Sequence, residues 1–114
     1  MNTVVTFGEI MGRFSPENFQ RFRQSMPGKL DMTFAGAEAN VAASITLLGG
    51  NARFVTALPD NEMTEACLAL LRGIGIDCSC IQKTKNGRFG LYFVERGANQ
   101  RPSKVIYDRS YSSV

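Results

Sequence analysis

Between Thr3 and Ile74 short apolar runs alternate with segments of helical period, and few folds accommodate that order. Val4, Val5 and Phe7 make a nearly continuous apolar run that stops at Gly8, the pattern of a buried strand. A helix is predicted over residues 38–48, with Val41, Ala42, Ile45 and Leu48 as its apolar stripe. Gly49-Gly50 ends it, one glycine suiting a left-handed cap. Phe54, Val55 and Ala57 read as a second buried strand, and Leu58-Pro59-Asp60-Asn61 as a loop in which Asp60 or Asn61 caps the next helix. Along that helix Met63, Ala66, Cys67, Leu70, Leu71 and Ile74 fall three and four residues apart, until Gly73 and Gly75 close it. Strands each followed by a helix imply parallel βαβ layering.

A second kind of segment is interleaved with these. Leu30, Met32 and Phe34 alternate with Asp31 and Thr33, the period of a strand covered on one face. Residues 76–81 read as extended, residues 89–95 and 104–107 as strands, and Asn86-Gly87 as a hairpin turn. Ser15-Pro16-Glu17 suits the start of a short helical turn, with Phe19 and Phe22 spaced to share a face, and Met26-Pro27-Gly28 is a turn. The alternating segments predict a separate antiparallel sheet. A parallel sheet needs both faces covered, which two or three strands and two helices barely achieve. The chain therefore reads as the opening part of a larger α/β domain.

Composition narrows the chemistry. The 114 residues include no histidine, which removes Ser-His and Cys-His nucleophiles, histidine metal sites and imidazole acid–base catalysis. The formal charge of +3 is scattered along the chain, unlike the concentrated basic stripe of a nucleic-acid binder. Cys67, Cys78 and Cys80 lack zinc-knuckle spacing and a second ligand pair, so each reads as structural, with Cys67 a small hydrophobe on a helix face. No apolar run approaches the roughly 18–20 residues of a bilayer span. The first residues lack the charged region of a secretory signal, so a cytoplasmic location is expected, with neither nucleic acid nor membrane as partner.

The segment richest in chemical meaning is Ala35-Gly36-Ala37-Glu38-Ala39-Asn40-Val41-Ala42. Its small residues allow a ligand close to the backbone, and the helix that follows offers unpaired N–H groups and a positive dipole end. Asn40, one turn in, carries both an amide donor and a carbonyl acceptor, which suits a polyol. The same residues also fit a plain loop-to-helix junction with Asn40 in solvent.

Together with Gly8-Glu9-Ile10-Met11-Gly12-Arg13-Phe14-Ser15-Pro16, residues 53–61 and Val105-Ile106-Tyr107-Asp108-Arg109, this segment resembles the PfkB (ribokinase-like) sugar kinases, most closely the 2-keto-3-deoxygluconate kinases. Those proteins open with a strand ending in Gly-Glu, followed by a glycine pair, a small or acidic residue, Asn, and a small-residue helix reaching Leu-Gly. Here Gly36-Ala37-Glu38-Ala39-Asn40 runs on to Leu48-Gly49, with Ala35 in place of the first glycine and Pro59-Asp60 where many members have Gly-Asp. The fold this implies is the N-terminal part of a ribokinase-like three-layer α/β/α domain with a small β-sheet lid, its strands within about residues 11–35 and 81–110.

The resemblance implies a sugar-acid site. Gly36, Ala37, Glu38, Ala39 and Asn40 would hold substrate hydroxyls, Tyr92 would contact substrate from the lid, and Tyr107 and Arg109 would hold the carboxylate end. A guanidinium forks onto a carboxylate through two parallel charge-assisted bonds that lysine cannot copy. Glu9 is a further candidate for orienting a hydroxyl. Read without the family, Tyr92 and Tyr107 could be ordinary sheet residues and Arg109 a surface charge. Gly73-Ile74-Gly75-Ile76-Asp77 is similar to the family's Gly-x-Gly-Asp, but its Asp stands one position late and at a helix C-terminus, which repels phosphate.

The resemblance also implies that the intact enzyme uses ATP and Mg²⁺. The catalytic base is then expected beyond Val114, with no catalytic or metal residue within the chain and no cofactor bound by it alone. The expected activity is phosphorylation of 2-keto-3-deoxygluconate by the intact enzyme, with a homodimer formed through lid strands. A kinase for a neutral sugar or nucleoside, and a non-catalytic assembly module built on the lid, are the alternatives.

Overall fold

Three patches of β-structure organise residues 2–114, which the computed structural model describes. In chain order the elements are β1 (Thr3–Phe7), β2 (Met11–Ser15), α1 (Phe22–Ser25), β3 (Asp31–Ala35), α2 (Ala37–Leu47), β4 (Asn51–Val55), β5 (Ala57–Pro59), α3 (Glu62–Ile74), β6 (Gln82–Thr84), β7 (Leu91–Glu95) and β8 (Lys104–Asp108).

β1 and β4 run parallel, with Thr3 opposite Asn51 and Phe7 opposite Val55. Asp77 extends this layer: its N–H donates to the Ala52 carbonyl at 3.0 Å, and the Phe54 N–H donates to its carbonyl at 3.1 Å. β5 and β6 continue the parallel pairing beyond Thr56. The single apolar segment expected over Phe54 to Ala57 is thus two strands broken at Thr56, and the predicted Leu58-Pro59 loop is largely strand β5, with both residues buried.

Helix α3 begins and ends where its sequence says it should. The Asn61 side-chain oxygen accepts from the Thr64 N–H at 3.2 Å, Glu62 and Glu65 oppose the positive helix end, and Gly75 closes the helix at φ +105°. Thr64, Cys67, Leu68 and Leu71 form its buried face. With Ala39 and Ala42 of α2, Phe54 of β4 and Ile10, the apolar Cys67, Leu68 and Leu71 make the core between helices and parallel strands. The two alanines place α2 close against the sheet, so its buried stripe is narrower than predicted. Ile45 packs on the core, whereas Val41 is 50% and Leu48 88% exposed. β1 forms as expected, but it is not a buried strand: Val4, Val5 and Phe7, which between them point to both faces of the strand, are all exposed.

The second sheet has the order β3-β2-β7-β8, with β2 parallel to β7 and the other neighbours antiparallel. A separate sheet is anticipated, but as an antiparallel one: the β2–β7 pair makes it mixed, because these two strands come from distant parts of the chain. A second correction falls at one boundary. Gly87 makes a turn at φ +88°, yet β6 pairs with β5 and β7 with β2, so Asn86-Gly87 joins two sheets and closes no hairpin. Residues 82–84 accordingly belong to the β5–β6 pair, and this sheet takes up the chain again only at β7. The helical turn foreseen at Ser15 forms instead at Phe22–Ser25. Phe19 lies before that helix, with the Arg96 guanidinium carbon 5.2 Å from its ring centroid, and shares no helix face with Phe22.

Candidate functional site

Where the loop after β1 meets the entry to α2 and strands β7 and β8 of the second sheet, a cleft of about 480 Å³ opens. Gly36, Ala37, Glu38 and Asn40 line it from the helix side, and Tyr92, Tyr107 and Arg109 from the sheet side. The structure therefore brings together seven of the eight residues singled out from the sequence. Ala39 is the exception: at 4% exposure it belongs to the core, because it sits on the α2 face turned toward the strands.

Gly36 starts α2 without a capping side chain, and the helix's first closed bond runs from the Asn40 N–H to the Gly36 carbonyl at 2.9 Å. The N–H groups before Asn40 have no partner within the helix and lie at its positive end. A side chain at position 36 is excluded by close approach: its Cβ would stand 2.4 Å from the Glu9 carbonyl oxygen. The loop after β1 and the loop before α2 can pass each other only at a glycine.

On the opposite wall Tyr92 and Tyr107 pair across β7 and β8, and Arg109 follows just beyond β8. The end of β8 is fixed by a two-point fork, in which Arg88 Nη1 and Nη2 donate to Asp108 Oδ1 and Oδ2 at 2.8 and 2.7 Å. That pairing holds the Asp108 carboxyl below its usual range. Arg109 Nη2 forms an ion pair with Glu9 Oε1, and the Glu9 side chain is only 7% exposed.

Sequence reasoning missed Met11 and Val105, which also line the cleft. Val105 was findable, since residues 105, 107 and 109 alternate on one strand face and two of the three were already candidates. The cleft holds two carboxylates, Glu9 and Glu38, against one guanidinium, a balance unsuited to a triphosphate. Among the described residues no group of three His, Cys, Asp or Glu side chains could hold a metal ion. The cleft thus does not suit ATP, and what its lining offers a ligand is one guanidinium, two phenols, an amide and backbone N–H groups. Asp77 lies outside this cleft and is paired with Arg53 at 2.9 Å. Among the described residues no helix is long and apolar enough to cross a membrane.

The pfkB family carbohydrate kinases match over residues 1–114. The chain is similar to the 2-dehydro-3-deoxygalactonokinase of Haloferax volcanii, 36% identical over 111 residues, which cover 97% of this chain and 34% of that protein. It is also 33% identical over 104 residues to a fructokinase of Solanum tuberosum, covering 91% of this chain and 32% of the relative. The solved 2-dehydro-3-deoxygluconokinase of Thermotoga maritima superposes with a TM-score of 0.92 at 47% identity, covering 98% of this chain and 33% of that one. The chain spans about a third of the length of these relatives.

Proposed function

The chain belongs to the pfkB family of carbohydrate kinases, and we propose that its cleft holds the acceptor, 2-keto-3-deoxygluconate, for phosphorylation of a terminal hydroxyl by ATP. The observation that carries this reading is the convergence of Gly36, Asn40, Tyr92, Tyr107 and Arg109 on one cleft from distant parts of the sequence. Relatives named for 2-dehydro-3-deoxy sugar acids, one 47% identical, support the choice of acceptor.

In this reading Arg109 takes the sugar's carboxylate in a charge-assisted fork, and the two tyrosine hydroxyls flank that end. The Asn40 amide and the free N–H groups opening α2 take hydroxyls at the other end. Held this way, the acceptor loses its freedom to turn, which is the main contribution a binding segment makes to phosphoryl transfer. ATP supplies the phosphoryl group, and its site is assigned to the portion of the intact enzyme that the relatives carry beyond the matched third.

A neutral hexose is the second reading. It is favoured by the Glu9–Arg109 ion pair, which already offsets the cleft's one guanidinium, and by the similarity to a fructokinase. Calorimetric titration of the chain with 2-keto-3-deoxygluconate, and with the analogue whose carboxylate is reduced to an alcohol, separates the two. Loss of a charge-assisted fork of about 1.5–3 kcal/mol corresponds to at least tenfold weaker binding of the neutral analogue. Equal affinity for both would overturn the sugar-acid reading and favour the neutral one.

A further inference from the structure

A guanidinium fork recognises a carboxylate only if its plane is held, and Arg109 sits one residue past β8 with its side chain half exposed. From this we infer that Glu9 is the positioning residue for Arg109, a built-in carboxylate that grips one end of the guanidinium so that its remaining donors face a ligand carboxylate. The inference rests on the acceptor reading above and adds to it the group that determines acid specificity.

The geometry of Glu9 is hard to explain otherwise. Its side chain is 93% buried, as the 7% exposure implies, while Oε1 pairs with Arg109 Nη2 and Oε2 has no hydrogen-bond partner. A buried carboxylate with an idle oxygen burdens the fold, so its gain lies elsewhere than in stability. Two glycines from separate segments give way to this one residue. A Cβ on Gly90 would stand 2.6 Å from Glu9 Oε2, and a Cβ on Gly36 would stand 2.4 Å from the Glu9 carbonyl oxygen. Glu9 is thereby fixed through its main chain by the loop before α2 and through its carboxylate by the residue before β7.

Glu9 pairs with Nη2 of Arg109, which carries two hydrogens, so the second of them together with Nε or Nη1 can still form the two parallel bonds of a fork to a ligand. The Arg88–Asp108 fork fixes the backbone immediately before Arg109, so strand end and side-chain tip are both tethered. A carboxylate entering the cleft then meets donors that need no reorganisation. The ion pair also offsets the charge of Arg109, so an anion gains there from the geometry of the donors more than from net charge.

The test compares wild type, Glu9→Gln and Gly90→Ala as the whole 114-residue chain. Gly90→Ala displaces the Glu9 carboxylate without altering any charge. Each is titrated with 2-keto-3-deoxygluconate and with its carboxylate-reduced analogue, and the Arg109 guanidinium is followed by ¹⁵N relaxation of its side chain. Affinity for the acid is expected to fall about tenfold in both variants while that for the neutral analogue stays within about twofold, and Arg109 gains mobility in both. Equal losses for the two ligands, or an Arg109 signal unmoved by Glu9→Gln, would overturn the inference. If wild type binds neither ligand, the acceptor reading fails, and the Arg109 signal alone still decides whether Glu9 restrains it. Should Gly90→Ala not fold, Glu9→Gln carries the decision.

Discussion

Tyr92 and Tyr107 are direct cross-strand partners on β7 and β8, and their rings lie 5.9 Å apart, tilted by 35°. One pair thus joins the sheet's own cohesion to the wall of the cleft. Ring contact contributes about 0.5–1.5 kcal/mol, whereas a neutral hydroxyl hydrogen bond to a ligand contributes about 1 kcal/mol. Tyr107→Phe is therefore expected to melt within a degree or two of wild type and to bind 2-keto-3-deoxygluconate about fivefold more weakly. Tyr107→Ala should lose both stability and binding. If Tyr107→Phe leaves affinity unchanged, Tyr107 is a sheet residue alone.

The core depends on a close approach between α2 and β4. Phe54 has no exposed surface, and Ala39 and Ala42 of the helix share its cluster. Truncation of a buried phenylalanine removes its transfer free energy and leaves a cavity, about 3–5 kcal/mol together. Phe54→Ala should unfold the chain at a markedly lower denaturant concentration. The exposed Phe7→Ala, on β1, should cost well under half as much, and comparable midpoints for the two would contradict the packing described.

The sequence was readable where local chemistry and tertiary structure agree. Asn61, the two acidic residues of the first turn and Gly75 bracket α3 with signals that need no partner, and the alternation in residues 31–35 holds as a sheet strand. It misled where a segment's partner is distant. Asn86-Gly87 carries a hairpin signal, but neither flanking strand pairs with the other, since β5 and β2 offer alternative partners. Val4, Val5 and Phe7 have the composition of a buried strand, and burial depends on a covering layer that no local pattern encodes. In the cleft, Gly36 and Arg109 could be named through the family resemblance. Ala39 was named too, because a motif does not say which side of a helix each of its residues faces. The ion pair between Glu9 and Arg109 was hidden because it joins residues a hundred positions apart.

Three thiols should differ sharply in reactivity. Burial, with Cys78 nearby, pushes the Cys67 thiol up to about 12, and burial also raises Cys78. Cys80 is exposed. The thiolate is the reactive form, so the buried pair should stay inert in the folded chain. Brief treatment with iodoacetamide at pH 8, read by peptide mass spectrometry, should modify Cys80 and spare Cys67 and Cys78 until denaturant is added. Early modification of Cys67 would contradict its place in the core.

Acid stability should report on Asp77, which joins the loop after α3 to β4. Hydrogen bonds from Ser79, and next the Arg53 guanidinium, lower its carboxyl from 3.8 to about 2. The Ser79 N–H donates to Asp77 Oδ1 at 2.9 Å, and Arg53 Nε donates to Oδ2 at the same distance. Because the folded state holds the proton less tightly than the unfolded state, Asp77 stabilises the fold above about pH 4, and this contribution is lost as the pH falls toward about 2. The two side chains are partly solvated, so the effect is modest and weakens with salt. Melting temperatures of wild type and Asp77→Asn, measured from pH 2 to pH 6, should differ most above pH 4 and converge near pH 2. A constant gap across that range would mean that Asp77 acts through packing and not through its charge.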